Sequence, residues 1–293
     1  MIVSSCASSA NLGPGFDCFG IAWKRYDSIE FLPCGCGLNI TGCPERFCTE
    51  ENLAYRAYLA VVRAAGIEPM GLGIRFISSD IPISRGLGSS AALIAAGAVA
   101  ANELHGLSLS RQSLLEIATV IEGHPDNLAP VLLGGLTVSA MDGEKVVSAR
   151  YEISDKLHFA ALVPDAELST ALARSVLPGE LSRSDAIFNI SRAALTLRAL
   201  ESGDIALLRF AMQDKLHQPY RSKLIPDFER ANALALENGA DALCISGAGS
   251  TLLAVSDYSA AAEKLSRAFS EALPNWQVFG LIPDTDGINI KNA

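Results

Sequence analysis

The chain has 293 residues, 49% hydrophobic and 19% charged, with a formal net charge of -9 and a pI near 5.0. That length holds one large or two ordinary domains with a full core, and the apolar content excludes a disordered chain. The acidic balance, with no Lys/Arg-rich run, argues against nucleic acid as a partner.

Met1 to Cys6 lacks a signal-peptide pattern. The longest uncharged run, Gly86 to Asn102, is shorter than the roughly 20 apolar residues of a membrane span. Seven irregularly spaced cysteines fit reduced thiols. A cytoplasmic protein with no membrane partner is expected. Cys34, Cys36, Cys43 and Cys48 cluster but lack paired C-x-x-C knuckles, so a zinc site there is the minor alternative to ordinary thiols.

In chain order, Ile2 to Ser8 reads as a strand that breaks into a turn at Asn11 to Asp17. Phe19 to Leu32 carries one or two strands. Thr49-Glu50-Glu51-Asn52 reads as a helix start ahead of Leu53, Ala54, Ala57, Tyr58, Val61 and Val62 at helical spacing, and Gly66 ends that helix. A strand at Leu72 to Ile77 feeds a glycine loop and an Ala-rich helix. Ser110 caps the next helix, which runs to the polar knot Glu122 to Asn127. Leu128 to Leu133 reads as an apolar link, and Leu136 to Ala140 with Lys145 to Tyr151 as a hairpin. A boundary near Glu152 to Lys156 divides the chain into domains 1–155 and 156–293. The second half alternates strand, helix, strand, strand, helix and strand, with a second glycine loop at Ser246 to Thr251, an α+β order.

The loop Pro82-Ile83-Ser84-Arg85-Gly86-Leu87-Gly88-Ser89-Ser90-Ala91-Ala92 carries most of the chemistry. Its glycines let a ligand approach the main chain, and Ser89 or Ser90 is expected to cap the helix that follows. Free amides at the positive end of a helix dipole suit phosphate. The Walker lysine and the third glycine of the dinucleotide fingerprint are both absent. A plain turn before a buried helix is the other reading of this loop. Taken singly, Asp17 reads as a turn carboxylate, His124 as a helix-end cap, Asp126 and Asn127 as caps of the next helix, and Arg174 and Arg221 as surface arginines. Glu122 at a helix C-terminus opposes the dipole, which hints at a cation beside it. His105, His158 and His217 receive no role.

Ser8-Ser9-Ala10-Asn11-Leu12-Gly13-Pro14-Gly15-Phe16-Asp17, Gly86 to Ala92 and Ser246-Gly247-Ala248-Gly249-Ser250-Thr251 together resemble the motifs of the GHMP kinases. The Gly-Phe-Asp ending and Glu122-Gly123-His124-Pro125-Asp126-Asn127 make the chain similar to the homoserine kinases among them. The resemblance covers essentially the whole chain. It implies an α+β, two-domain GHMP kinase fold, with an N-terminal domain like ribosomal protein S5 domain 2 and a ferredoxin-like C-terminal domain. It also implies ATP-dependent phosphorylation of the L-homoserine side-chain hydroxyl, with Mg²⁺, by a homodimer.

By motif, Pro82 through Ala92 would wrap the ATP phosphates, and Ser90 and Glu122 would hold Mg²⁺. Asn11, Asp17, His124, Asp126, Asn127 and Gly247 would surround the amino acid, and Arg174 and Arg221 would grip its carboxylate. Asn127, with Asn11, is the implied catalytic pair. Other GHMP kinases place an aspartate base at the position of Asn127, and an asparagine takes no proton, so catalysis without a protein base is expected. Two departures stand out. Ser84 replaces a glycine common in the loop, and the Glu122–His124 spacing is shorter than in some relatives. The alternatives are a GHMP kinase for mevalonate, shikimate or a sugar, a non-catalytic nucleotide or metabolite sensor, or a zinc module on the cysteine cluster.

Overall fold

The computed structural model describes residues 1–291. β1 (Ile2–Ala10), β2 (Phe19–Cys34) and the short β3 (Leu38–Thr41) precede α1 (Leu53–Ala64), and β4 (Gly71–Ser79) leads to α2 (Ser89–Leu104). Next come α3 (Arg111–Glu122), α4 (Leu128–Leu133), β5 (Leu136–Asp142) and β6 (Lys145–Tyr151). The first sheet runs β3-β4-β2-β1, with the β5–β6 hairpin joined to the start of β2 at Phe19–Ile21. The link expected at 128–133 is a helix, and its Leu128, Ala129, Val131 and Leu132 are fully buried.

Local chemistry explains the helices. Asn52 Oδ1 accepts from Ala54 N at 3.0 Å to start α1, whose Ala54, Ala57, Tyr58, Val61 and Val62 face the core. Ser110 Oγ accepts from Ser113 N at 3.0 Å to start α3, and Gly123 ends it at φ 88°. These caps are worth about 1 kcal/mol each. α2 is uncharged until Glu103 and buried along most of its length, so it forms the centre of the helical layer over the sheet.

The second half begins with β7 (His158–Pro164), followed by α5 (Thr170–Ser175), α6 (Arg183–Ser202), α7 (Ile205–Ala211), α8 (Gln218–Arg221) and α9 (Phe228–Glu237). It continues through β8 (Ala242–Ile245), β9 (Leu252–Ser256), α10 (Ala261–Ala272) and β10 (Trp276–Leu281). Its antiparallel sheet has the order β10-β7-β9-β8, a split β-α-β-β-α-β layout. The chain then returns to the first half. Pro283 bridges to Trp23, and β11 (Asn289–Lys291) pairs with β1. A shared apolar cluster joins the halves: Leu12, Trp23, Ile81 and Leu87 pack in one cluster with Phe159, Leu200, Leu208 and Met212.

No helix among the described residues is long and apolar enough to cross a membrane. Cys43 Sγ lies 3.6 Å from Cys48 Sγ, whereas Cys34 and Cys36 are exposed. The four cysteines form no common metal-binding group among the described residues.

Candidate active site

Three loops far apart in the chain meet on the seam between the halves. The turn after β1 puts Asn11 (φ 70°), Leu12 (φ 47°) and Asp17 (φ 57°) in the left-handed region. The Asn11 amide holds this turn in place. Its Oδ1 accepts from Asp17 N at 2.9 Å, and its Nδ2 donates to the Gly247 carbonyl at 2.7 Å. The loop at 246–251 is laced to the other two: Gly247 N donates to Ala10 O and Thr251 N to Arg85 O, each at 3.0 Å. The Ser246 hydroxyl lies 2.7 Å from that of Ser9 and 2.5 Å from the Gly86 carbonyl. Leu87 plugs the middle loop into the apolar seam with no exposure, and its carbonyl accepts from Ser8 N. Burying such a side chain contributes about 2 kcal/mol.

The start of α2 corrects one expectation. Neither Ser89 nor Ser90 caps the helix. The cap position belongs to Gly88 at φ 72°, with no side-chain bond to the first amides. A left-handed residue turns the chain into the helix without a hydroxyl, which leaves those amides open to an anion. Glycine is required at both turns. A Cβ on Gly88 would strike the Ser8 hydroxyl, and one on Gly86 (φ 80°) the Ser246 carbonyl oxygen. Ser84 sits at φ 54°, a left-handed angle that costs a side chain energy.

A cavity of about 100 Å³ opens where the loops meet. It is lined by Asn11, Asp17, Ser84, Gly86, Gly88, Ser89, Ser90, Glu122, His124, Asp126, Asn127, Arg174, Arg221 and Gly247. The remaining loop positions lie elsewhere. Leu87, Ala91 and Ala92 bury their side chains. Arg85 turns outward, with Nε on Pro164 O at 3.0 Å and Nη2 on Asp165 Oδ1 at 2.6 Å, and Pro82 borders that outer face. Arg85, Leu87, Ala91 and Ala92 can therefore meet a phosphate only through the main chain.

The charged groups are already arranged. Arg174 forks onto Asp17 at 3.0 and 2.7 Å, across 157 residues of sequence. His124 Nδ1 lies 2.5 Å from Asp126 Oδ1, which also accepts from Asn127 N at 2.8 Å. Asp126 and Asn127 do not cap α4. Asn127 has helical angles and no cap bond, and its Oδ1 accepts from Ser8 Oγ at 2.9 Å. Burial works against the His124 imidazolium. The hydrogen bond and charge of Asp126, with Glu122, outweigh it and hold the pKa above the ordinary value.

Arg221, expected as a surface arginine when taken alone, is only 1% exposed. Its Nε donates to Ala173 O at 3.2 Å and its Nη1 to Gly247 O at 3.1 Å, and no carboxylate among the described residues pairs with it. Burial, then repulsion from Arg174, lowers its pKa. His217, given no role from sequence, lies behind it without exposure. Its Nε2 is 2.9 Å from Gly13 O, and its Nδ1 is 3.4 Å from Arg221 Nη1. Burial holds the His217 pKa low, so the neutral ring donates from Nε2 and turns a lone pair to the guanidinium. The signal for it was its spacing, four residues before Arg221 at the start of α8.

Ser90 Oγ donates to Glu122 Oε2 at 2.6 Å. Burial pushes the Glu122 pKa up, so its carboxylate gains from a cation beside it. An all-oxygen hydroxyl–carboxylate set fits a small hard divalent ion. Asp17, His124 and Asp126 form the other cation-capable group, with ligand atoms within 4.8 Å of one another. Asp17 is committed to Arg174, and Asp126 to His124.

Beside the first cavity lies a larger one of about 620 Å³, which sequence reasoning missed. Phe47, Asn52, Leu53, Phe76, Ile83 and Leu93 line it, and it shares Ser84, Ser89 and Ser90 with the first.

The family descriptions "GHMP kinases N terminal domain" and "GHMP kinases C terminal" match residues 52–135 and 196–275. A homoserine kinase of Clostridium beijerinckii is 44% identical over 97% of this chain and 96% of its own. The crystal structure of a homoserine kinase from Cytophaga hutchinsonii superposes with a TM-score of 0.87 at 28% identity, covering 99% of this chain and 97% of its own. A putative homoserine kinase from Listeria monocytogenes gives a TM-score of 0.81 at 30% identity, covering 100% and 99%. Near-complete coverage at such identity, with all three loops meeting at one cavity, leads to one conclusion: the chain belongs to the GHMP kinases, and within them to the homoserine kinases.

Proposed function

We propose that the chain transfers the γ-phosphoryl group of ATP to the side-chain hydroxyl of L-homoserine, giving O-phospho-L-homoserine and ADP. The observation that carries this reading is Arg221, a buried guanidinium held by carbonyls and facing the cavity with no carboxylate partner among the described residues. An unpaired buried cation is costly, and an amino-acid carboxylate beside the phosphate loop would neutralise it. Asp126 and Asp17, on the same cavity, suit the α-ammonium, with the Asp17–Arg174 pair opening to receive the two ends of a zwitterion.

The open amides at the start of α2 would receive the β- and γ-phosphates, and the larger cavity the nucleoside. Ser90 and Glu122 would hold Mg²⁺, which supplies charge neutralisation on the phosphates when bound. The homoserine oxygen attacks phosphorus in line as the bond to the ADP oxygen breaks, and the hydroxyl proton leaves late to a phosphate oxygen. No protein base is invoked. Asn127 takes no proton and its Oδ1 is occupied by Ser8, while Asp126 is committed to His124 and to Asn127 N. The work falls to positioning and to loop amides.

We assign nucleotide binding to domain 1–155 and a carboxylate-gripping role to domain 156–293, which returns β11 to the first sheet. A cytoplasmic homodimer is the proposed form, in line with the resemblance and the unpaired thiols. An ADP-release assay with L-homoserine, L-threonine, mevalonate and shikimate tests the function. ADP release and a phosphorylated product with homoserine support it, and turnover confined to mevalonate or shikimate refutes it.

A further inference from the structure

One wall of the larger cavity is the segment Cys43-Pro44-Glu45-Arg46-Phe47-Cys48. A single 3-10 turn at Glu45–Phe47 folds it back on itself and brings Cys43 Sγ to 3.6 Å from Cys48 Sγ. Cys43, Pro44, Arg46 and Phe47 line the cavity, and Cys48 backs them without lining it. Both thiols are half-buried and within reach of small molecules. The other five differ: Cys6 and Cys244 are buried, and Cys34 Sγ donates to the Cys36 carbonyl rather than meeting a thiol.

We propose that Cys43 and Cys48 are a reversible thiol-oxidation site, closed to a disulfide by small-molecule disulfides, and that closure weakens nucleotide binding. One protein thiolate attacks a sulfur of the reagent R–S–S–R. That bond breaks, one RS⁻ leaves and takes up a proton, and a mixed disulfide forms. The second protein thiolate then displaces the other RS⁻, which is protonated in turn. Two protein sulfurs are oxidised, one reagent disulfide is reduced to two thiols, and no further oxidant is needed. Burial, with the neighbouring Cys48 thiol, pushes the Cys43 pKa up to about 11, which slows attack by Cys43 and leaves the first attack to Cys48.

The link to nucleotide follows from geometry. A disulfide brings its sulfurs to about 2.05 Å, so the two sulfur atoms must close by about 1.5 Å from their present 3.6 Å. Cys43 itself lines the cavity, so its side chain moves within the wall that it forms with Pro44, Arg46 and Phe47. Packed side chains do not absorb such a shift without cost. The effect on nucleotide rests on assigning this cavity to the nucleoside, whereas the chemistry of the thiol pair does not.

The test oxidises the full-length protein with excess oxidised glutathione, alkylates the remaining thiols and digests with trypsin. Cleavage after Arg46 separates Cys43 from Cys48, so a disulfide appears in the mass spectrum as two linked peptides, and fragmentation distinguishes Cys43 from Cys34 and Cys36 on the same peptide. We expect that linked pair, a KM for ATP raised about fivefold, a KM for homoserine within about twofold, and full reversal by dithiothreitol. Cys48→Ser should keep the kinetic constants of the reduced protein and lose the response. Absence of the linked peptides, an unchanged KM for ATP in the linked protein, or a response surviving in Cys48→Ser overturns the proposal. If reduced protein fails to consume ATP with homoserine, the proposed function fails instead, and the peptides still report on the thiols.

Discussion

Replacing Arg221 separates its two burdens, stability and substrate. The guanidinium is 1% exposed and has no carboxylate partner among the described residues. Arg221→Met fills similar volume and removes a buried charge, a change that is often neutral or stabilising. The loss to folding falls on the Ala173 carbonyl and the His217 Nδ1 lone pair, because the Gly247 carbonyl keeps its bond from Asn11 Nδ2. Each unsatisfied acceptor costs about 1–3 kcal/mol and relief of the buried charge offsets part of that, so the denaturation midpoint should fall only modestly. Homoserine, by contrast, loses a fork of two charge-assisted bonds worth about 1.5–3 kcal/mol each. At about 1.4 kcal/mol per factor of ten, kcat/KM for homoserine should fall between about 10²- and 10⁴-fold. Arg221→Lys keeps the charge but only one directed bond, and should fall about 10- to 100-fold. Steady-state kinetics with each substrate varied in turn, beside urea denaturation, reads all of this. Equal rises in the KM for ATP and for homoserine, or unchanged use of homoserine, would refute the reasoning.

Three further outcomes are expected. Asn127→Asp should bring no large gain in turnover, because positioning and not base strength limits the reaction; a pH–rate profile showing a large gain with a new acidic pKa would contradict the base-free mechanism. Ser84→Gly should stabilise the fold by about 0.5–1 kcal/mol, since glycine adopts the φ of 54° without the left-handed penalty; a lowered thermal midpoint would show that the serine side chain stabilises the loop by more than its backbone angle costs. Asp27, whose carboxyl accepts from Ile81 N, has its pKa raised to about 6 by burial. A raised carboxyl pKa means that the folded state binds the extra proton, so this contribution is full below about pH 4 and lost as pH rises through about 6. Asp27→Asn should therefore be more stable than the parent at pH 7.5, by up to about 3 kcal/mol, and lose that advantage at pH 4, as urea midpoints at the two pH values would show.

What could be read from sequence was local. The helices of 53–64 and 111–122 announce themselves by a start signal and an apolar face; Ser110 caps the second as expected, and Asn52, last of the four start residues, caps the first. The three loops are legible because glycine, proline and serine at fixed spacing leave few backbone shapes. Local pattern misleads where a glycine stands in for a capping serine. Two serines follow Gly88, yet Gly88 itself occupies the cap. Long-range pairing leaves no local trace. The Asp17–Arg174 fork spans 157 residues, and β11 crosses back to pair with β1. Nor does a single sequence show which way Arg85 points, because its partner Asp165 lies at the end of β7. The larger cavity was hidden for a related reason. Its wall at 42–53 reads in sequence as the end of a cysteine cluster and the start of a helix, and its concavity arises from packing against Phe76, Ile83 and Leu93.

The most direct test of the account is a crystal structure with a non-hydrolysable ATP analogue and L-homoserine bound together. The account predicts the β- and γ-phosphates on the main-chain amides that open α2, and the homoserine carboxylate on Arg221, its hydroxyl turned to the γ-phosphate. Phosphates seated away from those amides, or a homoserine carboxylate that leaves the Arg221 guanidinium unpaired, would contradict it.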